Sequence, residues 1–143
     1  GEIAQKGGRF CFRGYGYSMY PFIRNGSVLV VEPLDSDRLW TGDIIFYKNG
    51  ESAVVHRVVG KVLINNRMHL LVRGDAFTGQ PEIVPVELVL GRILTAEHSG
   101  KIKNFDKLFW RWAGIAWMKL TPFSQLLLWS YSFFKRIWAR LCK

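Results

Sequence analysis

The stretch Asp43-Ile44-Ile45-Phe46-Tyr47-Lys48-Asn49-Gly50-Glu51-Ser52-Ala53-Val54-Val55-His56-Arg57-Val58-Val59 decides the fold of this chain. Both ends of the stretch are rich in β-branched and aromatic residues, which favour pleated strands. Asn49-Gly50 lies between them and is a hairpin signal, because both residues tolerate the positive φ angles of a tight turn. The stretch therefore predicts two antiparallel strands, at 43–47 and 53–59.

Similar strands are predicted on both sides of this hairpin. Short apolar runs occupy residues 27–31 and 69–72, and turn signals stand at Asn25-Gly26 and Asn65-Asn66. Amphipathic periodicity of helical length is scarce before residue 100. Residues 1–100 are therefore expected to form a compact, mainly β domain of antiparallel, coiled sheets.

Charge divides the chain into two parts. Residues 1–100 hold 11 basic and 10 acidic residues, whereas residues 101–143 hold 9 basic and 1 acidic, so the second part carries +8 of the net charge of +9. Five of the six tryptophans also lie in the second part. A length of 143 residues suits one domain with an appendage. We therefore predict a β-rich domain at 1–100 and a basic, Trp-rich helical tail at 101–143.

The tail is predicted to form two amphipathic helices. Pro122 divides it into candidate helices at about 104–120 and 123–142, with Thr121 placed to cap the second. At a helical period the apolar face of the second helix comprises Phe123, Leu127, Phe134, Ile137, Trp138 and Leu141. An aromatic face opposite a basic one is typical of helices that lie in a membrane interface.

Two other partners of the tail remain open. The helices could pack onto the β domain or pair with a second copy of the chain. Nucleic-acid binding is disfavoured, because the aromatic residues cluster with leucine and isoleucine instead of alternating with basic residues.

Ser18, His56 and Asp75 supply the three residue types that acyl transfer needs at neutral pH. A serine hydroxyl requires a base to take its proton, and imidazole titrates in the useful range. A carboxylate beside the imidazole stabilises the imidazolium that forms. Taken singly, the same residues also fit a turn serine, a core histidine and a turn aspartate. Their sequence surroundings therefore decide between these interpretations.

Those surroundings resemble the signal peptidase I family, in particular its archaeal and endoplasmic-reticulum branch. Ser18-Met19-Tyr20-Pro21 is similar to the Ser-Met-x-Pro box of the nucleophile, and Gly42-Asp43-Ile44-Ile45-Phe46 to the strand that enters the core. Val54-Val55-His56-Arg57-Val58-Val59-Gly60 is similar to the box in which this branch carries histidine where bacterial housekeeping members carry lysine. Gly74-Asp75-Ala76 is similar to the closing Gly-Asp-Asn box. The four boxes follow the family order between Gly14 and Ile93.

The resemblance implies a serine endopeptidase on a coiled antiparallel β-sheet peptidase core, the fold shared with self-cleaving SOS repressors. It makes Ser18 the nucleophile and oxyanion donor through its backbone N–H, His56 the general base and Asp75 the supporting acid. Glu82 is the candidate for a second acid. The implied substrate is a leader or signal peptide with small residues before the cut. Residues after the nucleophile are candidates for the substrate cleft, namely Met19, Tyr20 and Phe22.

The chain also departs from the family pattern. Gly16 stands where a small hydroxyl residue is frequent, and Phe77 where asparagine is common. A catalytically idle adaptor on the same fold is therefore one alternative function. A soluble regulatory peptidase related to the self-cleaving repressors is another, although those proteins use a Ser-Lys pair.

No cofactor or metal is predicted, because the sequence lacks Cys-x-x-Cys, His-Glu-x-x-His and a Gly-rich phosphate loop in a strand–helix context. Cys11 and Cys142 are interpreted as free thiols. No uninterrupted apolar stretch reaches the 18 residues of a spanning helix. We expect membrane association, through the tail or through an anchor outside these residues, with a cytoplasmic location as the alternative.

Overall fold

The structure is a computed structural model, and it describes residues 4–6, 8–34, 36–77, 79–120, 131 and 133–141. Within these residues the chain forms nine β-strands, one 12-residue helix and a further helical stretch at 133–141. Short 3-10 turns occupy Ser36–Arg38 and Val86–Leu88. In chain order the elements are β1 (Ala4–Lys6), β2 (Arg9–Arg13), β3 (Val28–Glu32), β4 (Ile44–Asn49), β5 (Ser52–Ile64), β6 (Arg67–Arg73), β7 (Glu82–Pro85), β8 (Val89–His98), β9 (Lys101–Asn104) and α1 (Leu108–Lys119).

The described strands pair in one antiparallel sheet. Their order is β1-β2-β3-β8-β4-β5-β6-β7, and β9 pairs with β8 outside this path. The sheet curls into a half-barrel, with α1 as a C-terminal helix. The mainly β, antiparallel class predicted from the sequence is confirmed.

The predicted hairpin forms, with Asn49 as the last residue of β4 and Gly50 and Glu51 in the turn. Strands β4 and β5 pair from Ile44 opposite Arg57 to Asn49 opposite Ser52. Strand β5 pairs with β6 from Arg57 onward, and a register shift between Val58 and Gly60 interrupts that pairing. Among the described residues the other edge of residues 52–56 pairs with no strand. Strand β5 therefore offers a short open edge at the start of the hairpin.

The sheet extends beyond the predicted domain boundary at residue 100. Strand β9 pairs with β8 from His98 opposite Lys101 to Thr95 opposite Asn104. The side chain of Asn104 then accepts a hydrogen bond from the Asp106 N–H at 3.0 Å, so a turn occupies the predicted start of the helix. Helix α1 accordingly begins at Leu108.

The second tail helix is described in part. Residues 133–141 are helical, within the predicted range of 123–142. The predicted cap Thr121, Pro122, the apolar positions Phe123 and Leu127, and Cys142 lie outside the described residues. Cys11 is a free thiol. The described part of the chain includes no helix with both the length and the apolar character that crossing a bilayer requires.

Alternation along the strands divides the buried side chains between two hydrophobic clusters. Ile44 and Ile45, adjacent on β4, belong to different clusters. The first cluster contains Met19, Phe22, Ile23, Leu29, Val31, Ile44, Ile93, Ala96 and Phe105. The second contains Leu39, Ile45, Tyr47, Val58, Leu70, Val72 and Val84. Helix α1 packs on the first cluster through Trp110, Ala113 and Trp117.

Candidate active site

Ser18 lies in a turn that follows β2. The turn is closed by the Tyr20 N–H, which donates to the Tyr17 oxygen at 3.2 Å, and by the Ile23 N–H, which donates to the Met19 oxygen at 2.9 Å. Among the described residues the backbone N–H of Ser18 donates to no acceptor. It is therefore available to an oxyanion, as the resemblance implies.

Gly16 shapes the approach to this turn. Its φ angle is +117°, a conformation that side chains of L-residues rarely adopt. Its N–H donates to Asn25 Oδ1 at 2.8 Å. A hydroxyl residue at this position would be strained, because only glycine adopts such a φ angle readily.

The turn after β6 packs directly against Ser18. The Ala76 N–H donates to the Ser18 carbonyl oxygen at 2.9 Å. A Cβ atom at Gly74 would lie only 2.5 Å from the same oxygen, so this approach requires glycine. The two boxes that hold Ser18 and Asp75 therefore meet in space through their backbones.

His56 lies on β5, half-buried, and its ring is held by a tyrosine that the sequence analysis missed. The Nδ1 atom of His56 lies 3.0 Å from the hydroxyl of Tyr47, and that hydroxyl donates to Glu82 Oε2, also at 3.0 Å. Burial lowers the pKa of His56, while the charges of Glu82 and Asp75 act in the opposite direction. Glu82, the second candidate acid, thus reaches the histidine through Tyr47.

Asp75 is engaged by a residue that the sequence analysis also missed. Both of its carboxylate oxygens accept hydrogen bonds from Arg57, from Nε and Nη2, at 2.8 Å each. Arg57 also donates from Nη1 to the Gly42 oxygen at 2.9 Å, and the ion pair is buried. Asp75 acts on His56 through its charge, whereas its hydrogen bonds go to Arg57. A basic residue inside an apolar run was the available signal, because a buried charge requires a partner.

Ser18 and His56 line neighbouring cavities and, in the described part of the chain, share no hydrogen bond. The Ser18 cavity has a volume of about 440 Å³ and is lined by Phe12, Arg13, Gly14, Tyr15, Gly16, Met19, Ile23, Arg24, Leu29, Phe46, Ala53, Val54 and Val55. The His56 cavity has a similar volume of about 440 Å³ and includes Gly74, Phe77 and Glu82. Phe77 meets the His56 ring edge-on, with 6.3 Å between ring centroids. The turn from Gly74 to Phe77 therefore contacts both candidate catalytic residues.

The predicted cleft residues fall into different places. Met19 is buried but lines the Ser18 cavity, whereas Tyr20 is half-buried and does not line it. Phe22 belongs to the first core cluster, where its ring packs edge-on against Trp110 and Trp117. The docking of α1 covers this ring, so Phe22 does not line the Ser18 cavity.

The described residues include no group of three or more His, Cys, Asp or Glu side chains that could hold a metal ion. The arrangement combines a serine on an exposed turn, a histidine with one ring nitrogen engaged in a hydrogen bond, and an open strand edge between them.

Comparisons of this chain with protein-family models, with curated proteins and with solved structures found no match.

Proposed function

We propose that this chain is a serine endopeptidase that binds an extended peptide and cleaves it by acyl transfer, on a core similar to that of signal peptidase I. The observation that carries the proposal is the position of Ser18 beside the open edge of β5. One wall of its cavity is formed by residues 13–16 and Ser18, and another by residues 53–55. A nucleophile beside an unpaired strand edge is what a peptidase needs to hold its substrate.

The open edge accounts for substrate binding. An extended peptide can add to residues 52–56 as a further strand, with its backbone held by ladder hydrogen bonds. Alternate side chains of such a peptide enter the same pocket. The cavity beside Ser18 is largely apolar, with Leu29, Phe46 and Val55 among its lining residues. It therefore favours apolar substrate side chains, in keeping with the leader peptides that the resemblance implies.

The proposed reaction follows from the roles of two side chains and one N–H group. Ser18 Oγ forms a bond to the scissile carbonyl carbon while His56 takes the hydroxyl proton. The Ser18 N–H stabilises the oxyanion, the carbon–nitrogen bond breaks, and His56 returns the proton to the leaving amine. Water then hydrolyses the acyl-enzyme. Proton transfer requires the two side chains to come within about 2.6–3.2 Å, a contact that frequently tightens when substrate binds.

A catalytically idle adaptor is the second candidate function. The missing Ser18–His56 hydrogen bond in the described residues and the edge-on contact of Phe77 with His56 favour it. Such a protein would bind an extended peptide at the same edge and leave it intact.

A library of decapeptides, incubated with the chain and followed by mass spectrometry, tests the enzyme against the adaptor. We expect cleavage at a restricted set of bonds, and Ala53→Trp should lower kcat/KM at those bonds by about tenfold or more, because the indole would fill the groove. Leu63→Trp is the matched control, since Leu63 is exposed on the same strand, lies outside residues 52–56 and does not line the cavity.

Two outcomes of the library experiment would count against the proposal. A library left intact by the unmodified chain, in detergent and in lipid, would favour the adaptor. Equal cleavage by the Ala53→Trp and Leu63→Trp proteins would exclude the groove that residues 13–16, Ser18 and residues 53–55 line as the substrate site.

We further propose that the tail holds this chain at an anionic membrane surface. A surface helix normally turns polar side chains toward water. On helix α1 the apolar residues Leu108, Phe109 and Trp112 are instead 68%, 70% and 65% exposed to solvent. Residues 107–143 contain seven basic residues and no acidic one. Exposed aromatic side chains with an excess of positive charge fit the headgroup region of anionic lipid.

Vesicle sedimentation tests this surface. Changing Phe109→Ser together with Trp112→Ser should weaken binding to phosphatidylglycerol vesicles by at least about tenfold, because each apolar side chain contributes roughly 1.5–3 kcal/mol on burial. The control pair is Leu63→Ser with Met68→Ser, which removes exposed apolar side chains from the β5–β6 hairpin. Equal binding by both double variants would refute the lipid surface. Concentration-dependent self-association that only the α1 variant loses would assign the face to a second copy instead.

A further inference from the structure

A hydrogen-bonded series of three side chains runs from the candidate base to the edge of the sheet. His56 on β5 contacts Tyr47 on β4, and Tyr47 contacts Glu82 at the start of β7. The hairpin register explains the first contact, because His56 lies opposite Ile45 and Tyr47 follows two residues later on the same face. The hydroxyl of Tyr47 lies within 3.0 Å of both neighbours, and the side chain is only 1% exposed. The position of the Tyr47 hydroxyl between His56 and Glu82 determines which of these groups donates each hydrogen bond.

Counting the protons in this series of side chains determines which tautomer the neutral imidazole of His56 adopts. A phenol carries one proton, and that of Tyr47 is donated to the carboxylate of Glu82. A charged acceptor makes the stronger bond, so the proton stays there. The phenol oxygen then has only lone pairs to offer to His56. The contact at Nδ1 is therefore an N–H···O bond, and Nε2 carries the lone pair.

We infer that Tyr47 and Glu82 are positioning residues that hold His56 as its Nδ1–H tautomer and present Nε2 to Ser18. This inference rests on the proposed role of His56 as general base, and it assigns to a tyrosine and a glutamate the orienting role that the resemblance implies for Asp75. The carboxylate of Asp75 is committed to Arg57.

The charged groups around His56 support this division of roles. Glu82 faces the ring through Tyr47, Arg73 lines the same cavity, and Asp75 acts from the turn after β6. Burial and the bond to Glu82 raise the pKa of Tyr47, so the phenol keeps its proton throughout the working pH range. The tyrosine consequently transmits orientation and charge while its own proton stays in place.

Nitrogen-15 NMR of the His56 ring tests the tautomer without reference to activity. In the full chain at a pH where the ring is neutral, we expect a protonated Nδ1 and an unprotonated Nε2. Tyr47→Phe removes the acceptor and should shift the ring toward the Nε2–H tautomer. An Nε2–H tautomer in the unmodified chain, or a spectrum that Tyr47→Phe leaves unchanged, would overturn the inference.

Kinetics and pH dependence provide a second test, in which Glu82→Gln keeps a hydrogen-bond acceptor but removes the charge. The Glu82 charge raises the pKa of His56, so its removal lowers that pKa and moves the acid limb of kcat/KM to lower pH. Tyr47→Phe should lower kcat by on the order of tenfold to hundredfold with little change in KM. Glu87→Gln, an exposed carboxylate on the adjoining turn, is the control and should leave the profile in place.

The two experiments separate this inference from the proposed function. If the chain is inactive and its His56 carries the proton on Nδ1, the proposed peptidase function is refuted and the tautomer assignment is retained. An active chain with an Nε2–H histidine would keep the peptidase and overturn the roles of Tyr47 and Glu82. These roles would also be overturned if the acid limb of kcat/KM lies at the same pH in the Glu82→Gln and Glu87→Gln proteins.

Discussion

Replacing Ser18 with alanine is expected to lower the rate of peptide cleavage by on the order of 10⁴–10⁶-fold, and His56→Ala should have an effect of similar size. In the proposed reaction both residues act in one proton-coupled step, so the double variant should be no slower than the slower single variant. The proposed oxyanion donor and substrate edge remain in each variant, so a residual rate above that of water is expected. Single-turnover cleavage of a peptide chosen from the library measures all three rates.

Ser99→Ala is the control for this comparison, because Ser99 is an exposed serine in the turn between β8 and β9 and does not line the Ser18 cavity. It should cleave at the unmodified rate. Cleavage by Ser18→Ala at that rate would exclude Ser18 as the nucleophile. An inactive Ser18→Ala protein beside a fully active His56→Ala protein would require a different base.

The parts of the fold that the sequence predicted are those specified by neighbouring residues. The β4–β5 hairpin follows from strand-forming residues on either side of Asn49-Gly50, and the observed pairing runs directly into that turn. The Asn65-Asn66 turn was predicted for the same reason, and both residues adopt positive φ angles of 51° and 61°. Turn chemistry of this kind acts over a few residues, so it can be recognised without the rest of the chain.

The parts of the site that the sequence did not predict depend on contacts between distant segments. Arg57 and Asp75 are 18 residues apart, and Tyr47 and Glu82 are 35 apart. Their pairing depends on sheet order and register, and a shift of one residue would turn each side chain to the opposite face. The surroundings of Phe22 could not be read from its neighbours for a similar reason, because they are set by helix α1 from a distant part of the sequence.

The ion pair between Arg57 and Asp75 should have a large effect on stability. Arg57→Met is expected to lower the free energy of unfolding by about 3–5 kcal/mol, because it leaves the Asp75 carboxylate buried without a partner. It also removes the donor to the Gly42 oxygen. Urea denaturation followed by tryptophan fluorescence measures the change. The exposed pair of Arg9 and Glu32 is the matched control, and Arg9→Met should cost no more than about 1 kcal/mol.

A double replacement separates the loss of the pair from the loss of the arginine itself. Arg57→Met with Asp75→Leu removes both charges, so it should recover much of the stability that Arg57→Met loses. A double variant as unstable as Arg57→Met would show that the buried charge is not the cause of the lost stability.

The backbone of the Asp75 turn is also held at two points. The backbone carbonyl oxygen of Asp75 accepts a hydrogen bond from the indole N–H of Trp117, and the N–H of Ala76 donates to the backbone carbonyl oxygen of Ser18. Because the pair anchors this turn against Ser18, the proposed nucleophile, a stable double variant should still cleave peptides more slowly than the unmodified chain.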